Sequence, residues 1–191
     1  PNTPVDISES VYESLSKKYN APIENIKTMT ANVVERAKEV GLVYNFDEMK
    51  AANTVKAHRL TKWVESQSKE LAREFTEQVL QAYFIHGKAI GRNEELLAIV
   101  ESVGLSREEA EKVLKNNTFM QDVEQDINEA SQIGVRGVPF FVFEHKWGIS
   151  GAQPQDVFEK TIEQAAQHVG LKKNIQIVAE GATCTDDSCD I

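Results

Sequence analysis

The chain has 191 residues, of which 41% are hydrophobic, and its 30 acidic against 21 basic residues give a net charge of −9. This length and hydrophobic content are enough for one folded domain with an insertion. The acidic excess argues against nonspecific nucleic-acid binding, which requires a surplus of Lys and Arg. No apolar run approaches the ~20 residues of a membrane-spanning helix. We therefore expect neither nucleic acid nor a membrane as a partner.

The N-terminal two thirds of the chain has the periodicity of short amphipathic helices. Apolar residues recur at helical spacing in successive stretches, and turn signals such as Gly41 and Gly87 separate these stretches. Asp6 and Glu9 stand ahead of the first stretch and are expected to cap its helix. The spacing therefore predicts a helical domain over residues 1–133.

The pattern changes at residues 134–143, whose sequence is Gly-Val-Arg-Gly-Val-Pro-Phe-Phe-Val-Phe. A proline followed by β-branched and aromatic residues predicts a strand over residues 138–143 that is buried on both faces. Apolar character resumes at residues 147–150, which predicts an antiparallel hairpin, and a helix should follow Pro154. A strand that is apolar on both faces needs neighbours on its other edge. Since no strand is predicted upstream, we expect the missing neighbour to lie outside this chain.

Near the C-terminus, Cys184 and Cys189 are the two cysteines of the chain, with four residues between them. A disulfide between them is geometrically plausible. The nearby Asp186, Asp187 and Asp190 should raise the pKa of both thiols, which favours a resolving or electron-relaying pair over a primary nucleophile. A pair of inert, exposed cysteines is the alternative. Two cysteines fill only half of a zinc ligand set, so we expect no metal site.

Three stretches of the sequence resemble a known family. They are Asn53-Thr54 with Ala57-His58-Arg59-Leu60, then Ala82-Tyr83-Phe84 with Gly87 and Ile90, and the run 133–142 with Gly151-Ala152-Gln153. In these motifs the chain resembles the DsbA-like branch of the thioredoxin fold, and within it the FrnE-type dithiol oxidoreductases and protein-disulfide isomerases. The resemblance implies an α/β, thioredoxin-like fold with a large helical insertion at residues 1–133. Residues 134–170 would be the C-terminal half of the thioredoxin domain, and residues 171–191 a C-terminal tail.

The resemblance also implies roles for individual residues. In that family the proline that matches Pro139 follows a cis bond, and the residue before it, here Val138, faces the reactive dithiol. Arg136 precedes this proline loop, and His58 lies on a helix that borders the active-site face. These four residues are therefore predicted to bind substrate. A solvated loop arginine and a hydrogen-bonded structural histidine are the plainer alternatives for Arg136 and His58.

Members of the family begin with a strand, a Cys-x-x-Cys at the start of a helix and a second strand, none of which this sequence contains. The resemblance implies that the primary dithiol lies in a missing N-terminal segment, with Cys184 and Cys189 as an auxiliary redox pair, as in some FrnE-type proteins. The predicted function is thiol–disulfide exchange on protein or small-molecule disulfides and thiols in the cytoplasm, without a cofactor. The alternatives are a glutathione-dependent isomerase or transferase of the kappa type and a non-enzymatic redox-sensing module.

Overall fold

The computed structural model describes residues 9–170, which contain eight helices and two strands. In chain order the elements are α1 (Val11–Tyr19), α2 (Ile23–Glu39), α3 (Val55–Gln67), α4 (Lys69–Phe84), α5 (Asn93–Ser102), α6 (Arg107–Lys115), α7 (Met120–Gln132), β1 (Phe140–Phe143), β2 (Trp147–Ser150) and α8 (Gln155–His168). They fall into two compact units that divide between Glu129 and Ala130. In the described part of the chain, every helix is too short or too polar to cross a bilayer.

The cap of α1 differs from the predicted one. The Ser10 hydroxyl accepts a hydrogen bond from the Glu13 N–H at 3.2 Å, and the Glu13 carboxylate accepts one from the Ser10 N–H at 2.9 Å. This reciprocal capping box satisfies two N–H groups at once, and its Ser must directly precede the first helical residue. The prediction that Asp6 and Glu9 form the cap is therefore wrong. Glu9 forms an ion pair with Lys17 instead, and Asp6 lies outside the described residues.

Helices α3 to α6 share one hydrophobic core. Its most deeply buried side chains are Leu60, Val64, Phe75, Leu96 and Val100. Across the whole cluster, core residues recur three or four positions apart within each of the four helices, so that each helix presents one apolar stripe to the others. The helical periodicity seen in the sequence is thus confirmed as the origin of the core.

Helices α3 and α4 follow one another without a loop, because Ser68 belongs to both of their ends. Its N–H donates to the Val64 carbonyl at 2.9 Å, which ends α3. Its hydroxyl accepts from the Leu71 N–H at 3.3 Å, which begins α4. A single residue therefore sets how the two helices meet.

The described part of the second unit contains the end of α7, the loop with Pro139, the hairpin and α8. Phe140 pairs with Ser150 and Phe143 with Trp147 in antiparallel register. Helix α8 packs on one face of the hairpin, where the rings of Phe141 and Phe158 meet edge to face at 4.9 Å. Two strands and one helix leave part of the sheet surface uncovered within this unit.

Two expectations for this strand need correction. The strand begins at Phe140 rather than at residue 138, because Pro139 has no N–H to donate to a ladder. Burial on both faces is also wrong for the described residues: Phe141 is 39% exposed and Val142 is 43% exposed. The aromatic and β-branched composition correctly predicts that a strand forms here. It does not predict how far the strand's side chains are buried.

Candidate functional site

The loop before the proline starts from a well-defined helix end. Gly134 has a φ of 82°, and its N–H donates to the Ser131 carbonyl at 3.1 Å. The Val135 N–H donates to the Ala130 carbonyl at 2.9 Å. This pair of bonds is a Schellman motif, which requires a left-handed residue and so favours glycine. It fixes the point at which the chain leaves α7.

The bond between Val138 and Pro139 is cis, as the resemblance implied. The Pro139 carbonyl accepts a hydrogen bond from the Gly151 N–H at 2.9 Å, which joins the start of β1 to the end of β2. Val138 is 90% exposed, and its N–H and C=O have no partner among residues 9–170. A free donor and a free acceptor beside a strand are the groups with which an extended peptide can pair.

Arg136 lies in the same loop, two residues before Val138. Its side chain is exposed and makes no ion pair or hydrogen bond with the described part of the chain. A guanidinium stays protonated and offers a planar fork of donors to a carboxylate. The structure therefore brings Arg136, Val138 and Pro139 together on one exposed loop.

The remaining predicted site residues belong to other parts of the chain. His58 is on α3 in the first unit, where it lines a surface hollow of about 290 Å³ between α3 and α4. Its side chain is exposed, and its imidazole has no hydrogen-bond partner within the described residues. Cys184 and Cys189 lie outside the described residues. The roles of all six residues remain predictions.

Sequence reasoning gave no role to Arg59, which is only 3% exposed. Its Nε donates to the Thr118 carbonyl at 2.9 Å, and Nη1 donates to Asn117 Oδ1 at 3.2 Å. Its Nη2 donates to the carbonyls of Val113 and Leu114. Burial lowers the pKa of Arg59. Because carbonyls at a helix C-terminus carry partial negative charge, they are suitable partners for this cation.

The motif from Asn53 to Leu60 thus divides into structural residues and two exposed polar residues, Thr54 and His58. Asn53 Oδ1 accepts a hydrogen bond from the Val55 N–H at 3.0 Å, at the start of α3. Arg59 holds the end of α6, and Leu60 is in the core. Thr54 and His58 are the members of this motif whose polar side chains line the hollow without a hydrogen-bond partner among residues 9–170.

Comparison with known proteins agrees with this architecture. Residues 4–163 match the DSBA-like thioredoxin domain. The structure is similar to that of a probable DsbA oxidoreductase from Streptomyces coelicolor, with a TM-score of 0.79 and 26% sequence identity over 100% of this chain and 80% of that protein. No match to the sequence is found among curated proteins. The fold is a DsbA-like thioredoxin fold with a helical insertion, and the chain belongs to the family of DSBA-like thioredoxin domains.

Proposed function

We propose that this protein is a FrnE-type thiol–disulfide oxidoreductase or protein-disulfide isomerase that acts on protein or small-molecule disulfides and thiols. The exposed loop at Val138, whose backbone N–H and C=O have no partner among residues 9–170, is the observation that carries the proposal. The family match and the similarity to a probable DsbA oxidoreductase support the same chemistry. We place the protein in the cytoplasm, where few structural disulfides form.

Substrate binding in this proposal uses the loop as a short strand edge. The Val138 N–H donates to a substrate carbonyl, and the Val138 C=O accepts from a substrate N–H, so that the peptide lies extended beside the loop. The Arg136 guanidinium attracts a substrate carboxylate or the thiolate that leaves during exchange. These contacts recognise backbone and charge, which suits an enzyme that accepts many disulfides.

The reactive dithiol is proposed to be a Cys-x-x-Cys on a segment ahead of Pro1 in the full-length protein. Two observations support this proposal. Among the described residues, one edge of β1 is unpaired and can accept a further strand, and the partly exposed side chains of Phe141 and Val142 leave apolar surface for further elements to cover. The Streptomyces protein is longer than the region that this chain matches.

Exchange then takes place in two balanced steps. A thiolate of the Cys-x-x-Cys pair attacks one sulfur of the substrate disulfide, whose S–S bond breaks, and the released sulfur takes a proton. The second cysteine attacks the mixed disulfide and releases the other substrate thiol, so that two electrons pass to the substrate. Cys184 and Cys189 are proposed to reduce the resulting disulfide by the same steps. A thiol such as glutathione would in turn reduce the Cys184–Cys189 disulfide.

The experiment is a comparison of two chain lengths. The intact mass of the protein from its natural source is compared with the 21.4 kDa of this chain. The natural protein and the 191-residue chain are then both tested for reduction of insulin disulfides. We expect a larger natural mass and faster turnover by the longer form. A natural mass of 21.4 kDa, or equal turnover by the 191-residue chain, would overturn the proposed dithiol assignment.

The auxiliary pair is tested in the full-length protein with Cys184→Ser and Cys189→Ser. If the pair relays electrons, the first turnover keeps its rate while later turnovers slow. Unchanged multiple turnover would mean that the two cysteines are inert. Tight glutathione binding without any dithiol exchange would instead favour the glutathione-dependent alternative.

A further inference from the structure

The hollow between α3 and α4 has the size and the walls of a small-molecule site. Its volume of about 290 Å³ is near the lower end of ligand pockets, which measure roughly 300–1,000 Å³. Ala57, Val79, Leu80, Phe84 and Ile90 give it apolar walls. Most of these side chains come from two helices of the main core, so the hollow lies on rigid elements.

Three polar groups in the hollow are available to a ligand. The hydroxyls of Thr54 and Tyr83 and the imidazole of His58 have no hydrogen-bond partner among the described residues. Thr61 and Thr76 also line the hollow, but their hydroxyls already donate to backbone carbonyls one turn earlier. Burial raises the pKa of Tyr83, so its hydroxyl is a neutral donor at physiological pH. The site can therefore both donate and accept hydrogen bonds.

Charge complementarity points to an uncharged ligand. Apart from His58, the lining side chains are all uncharged at neutral pH. An adjoining hollow contains two acidic and two basic side chains, Glu65, Glu77, Lys69 and Arg73, whose formal charges cancel. A carboxylate or an ammonium group in the apolar hollow would lose its hydration without gaining a charged partner.

The walls also favour an aromatic ring. The rings of Tyr83 and Phe84 meet edge to face, with centroids 5.0 Å apart and an interplanar angle of 79°. Because one face of the Phe84 ring already stacks on Tyr44, with centroids 4.8 Å apart, a guest ring would contact the Tyr83 ring and the remaining surface of Phe84. We propose that this hollow binds a small, uncharged aromatic molecule that carries a hydroxyl or carbonyl oxygen. That oxygen hydrogen-bonds to Thr54, His58 or Tyr83.

The inference rests on the proposed function only in taking His58 as a ligand-contacting residue. Binding in the hollow involves no thiol, so it can be measured on the reduced or the oxidised protein. Loss of thiol exchange with intact binding would overturn the proposed function alone. Intact exchange without binding would overturn this inference alone.

In the test, binding of 2-naphthol to the full chain is measured by titration calorimetry. The same measurement is made with 2-naphthoate and with naphthalene, and the three affinities are compared. We expect 2-naphthol to bind at least about 10-fold more tightly than 2-naphthoate, because the carboxylate must be desolvated. Naphthalene should bind about 3- to 10-fold more weakly than 2-naphthol, since it cannot form the hydrogen bond. Equal binding of the three compounds, or no binding of 2-naphthol up to millimolar concentration, overturns the inference.

Variants locate the site. Leu80→Glu places a charge at the half-exposed rim of the hollow and should weaken 2-naphthol binding about 10-fold or more. Val40→Glu changes an exposed apolar residue outside the hollow and should leave binding unchanged. Tyr83→Phe should weaken binding about 3- to 10-fold while preserving the ring. If Leu80→Glu does not fold, Tyr83→Phe decides the outcome, and equal effects of Leu80→Glu and Val40→Glu contradict the inference.

Discussion

The first unit, Pro1–Glu129 (the helical unit), and the second unit, Ala130–Ile191 (the hairpin unit), differ in how far their described apolar residues are buried. In the helical unit, Leu60, Phe75 and Leu96 are completely or almost completely removed from solvent. Among the described residues of the hairpin unit, the buried hydrophobic side chains are those of Ile149 and Ala165. Large side chains such as those of Phe141 and Val142 are partly exposed there. The helical unit thus has a core of its own, whereas the hairpin unit presents apolar surface that other chain segments or a substrate can cover.

The predicted site residues are found in both units, since His58 lies on α3 in the helical unit. Val138 and Arg136, both exposed, belong to the hairpin unit. The chain also has one tryptophan in each unit, Trp63 and Trp147. Fluorescence of Trp63 in a Trp147→Phe background reports on the helical unit, and fluorescence of Trp147 in a Trp63→Phe background reports on the hairpin unit. Each unit can therefore be followed separately during urea unfolding.

The largest expected effect is in the helical core. Leu60→Ala should lower the free energy of unfolding by about 2–5 kcal/mol, because it removes a completely buried side chain and leaves a cavity. Val142→Ala should cost less than about 1.5 kcal/mol, because Val142 is already half exposed. Urea unfolding, followed by the fluorescence of the tryptophan in each unit, tests these two substitutions. Equal losses would mean that the hairpin unit has a buried core after all.

Arg59→Met should have the next largest effect. It preserves the apolar stem but leaves several buried oxygens at the end of α6 without donors, so we expect a loss of about 2–4 kcal/mol. Arg107→Met is the matched control. Arg107 pairs with Glu94, Glu101 and Glu111 on the surface, where solvent weakens ion pairs. A loss for Arg107→Met as large as that for Arg59→Met would contradict the structural role given to Arg59.

A stabilising change is available in the hairpin unit. Glu144 and His145 both have a φ of 50° at the turn, a conformation that costs a non-glycine residue about 1–2 kcal/mol. His145→Gly should therefore raise the free energy of unfolding by about 0.5–1 kcal/mol. Lys146→Gly, at a position outside the left-handed region, should lower it. Unfolding followed at Trp147 distinguishes the two, and destabilisation by His145→Gly would show that the turn has another conformation in solution.

The smallest expected effect concerns pH. Burial raises the pKa of Tyr83, so the folded state favours the neutral phenol. The stability that this provides is complete below the unfolded pKa of about 10 and is lost as the pH rises through the higher folded pKa. As the pH rises above about 10, the free energy of unfolding should therefore fall less for Tyr83→Phe than for the unsubstituted chain. Urea unfolding across this range tests the prediction, which identical pH profiles of the two proteins would contradict.

The sequence predicted the helices well because each one needs a single apolar stripe. Spacing predicts successive amphipathic helices between the turn signals, and α3, with its buried Leu60 and Val64, is one of them. The predicted cap of α1 is wrong because it assigns the capping role to Asp6 and Glu9. In the structure, Ser10 and its partner Glu13 form the cap. The cis bond at Pro139 came from a family resemblance, since composition gives cis for about one X-Pro bond in twenty.

Other features depend on contacts that spacing does not encode. Arg59 is buried because it meets carbonyls more than fifty residues later in the chain. The hollow beside His58 exists only once α3 and α4 are packed together. Val142 is more exposed than predicted. Apolar composition indicates that a side chain can be buried, but it does not show whether a neighbouring element is present to bury it.

The shared helix end at Ser68 has a kinetic consequence. The helices that it joins, α3 and α4, are adjacent in the chain, so their contacts close only short loops. Contacts between residues near in sequence form faster than distant ones, and we expect this helical hairpin to be among the first parts of the chain to fold. Because Ser68 both ends one helix and begins the next, an inserted residue there would rotate α4 relative to α3. Chain length is thus fixed at this junction.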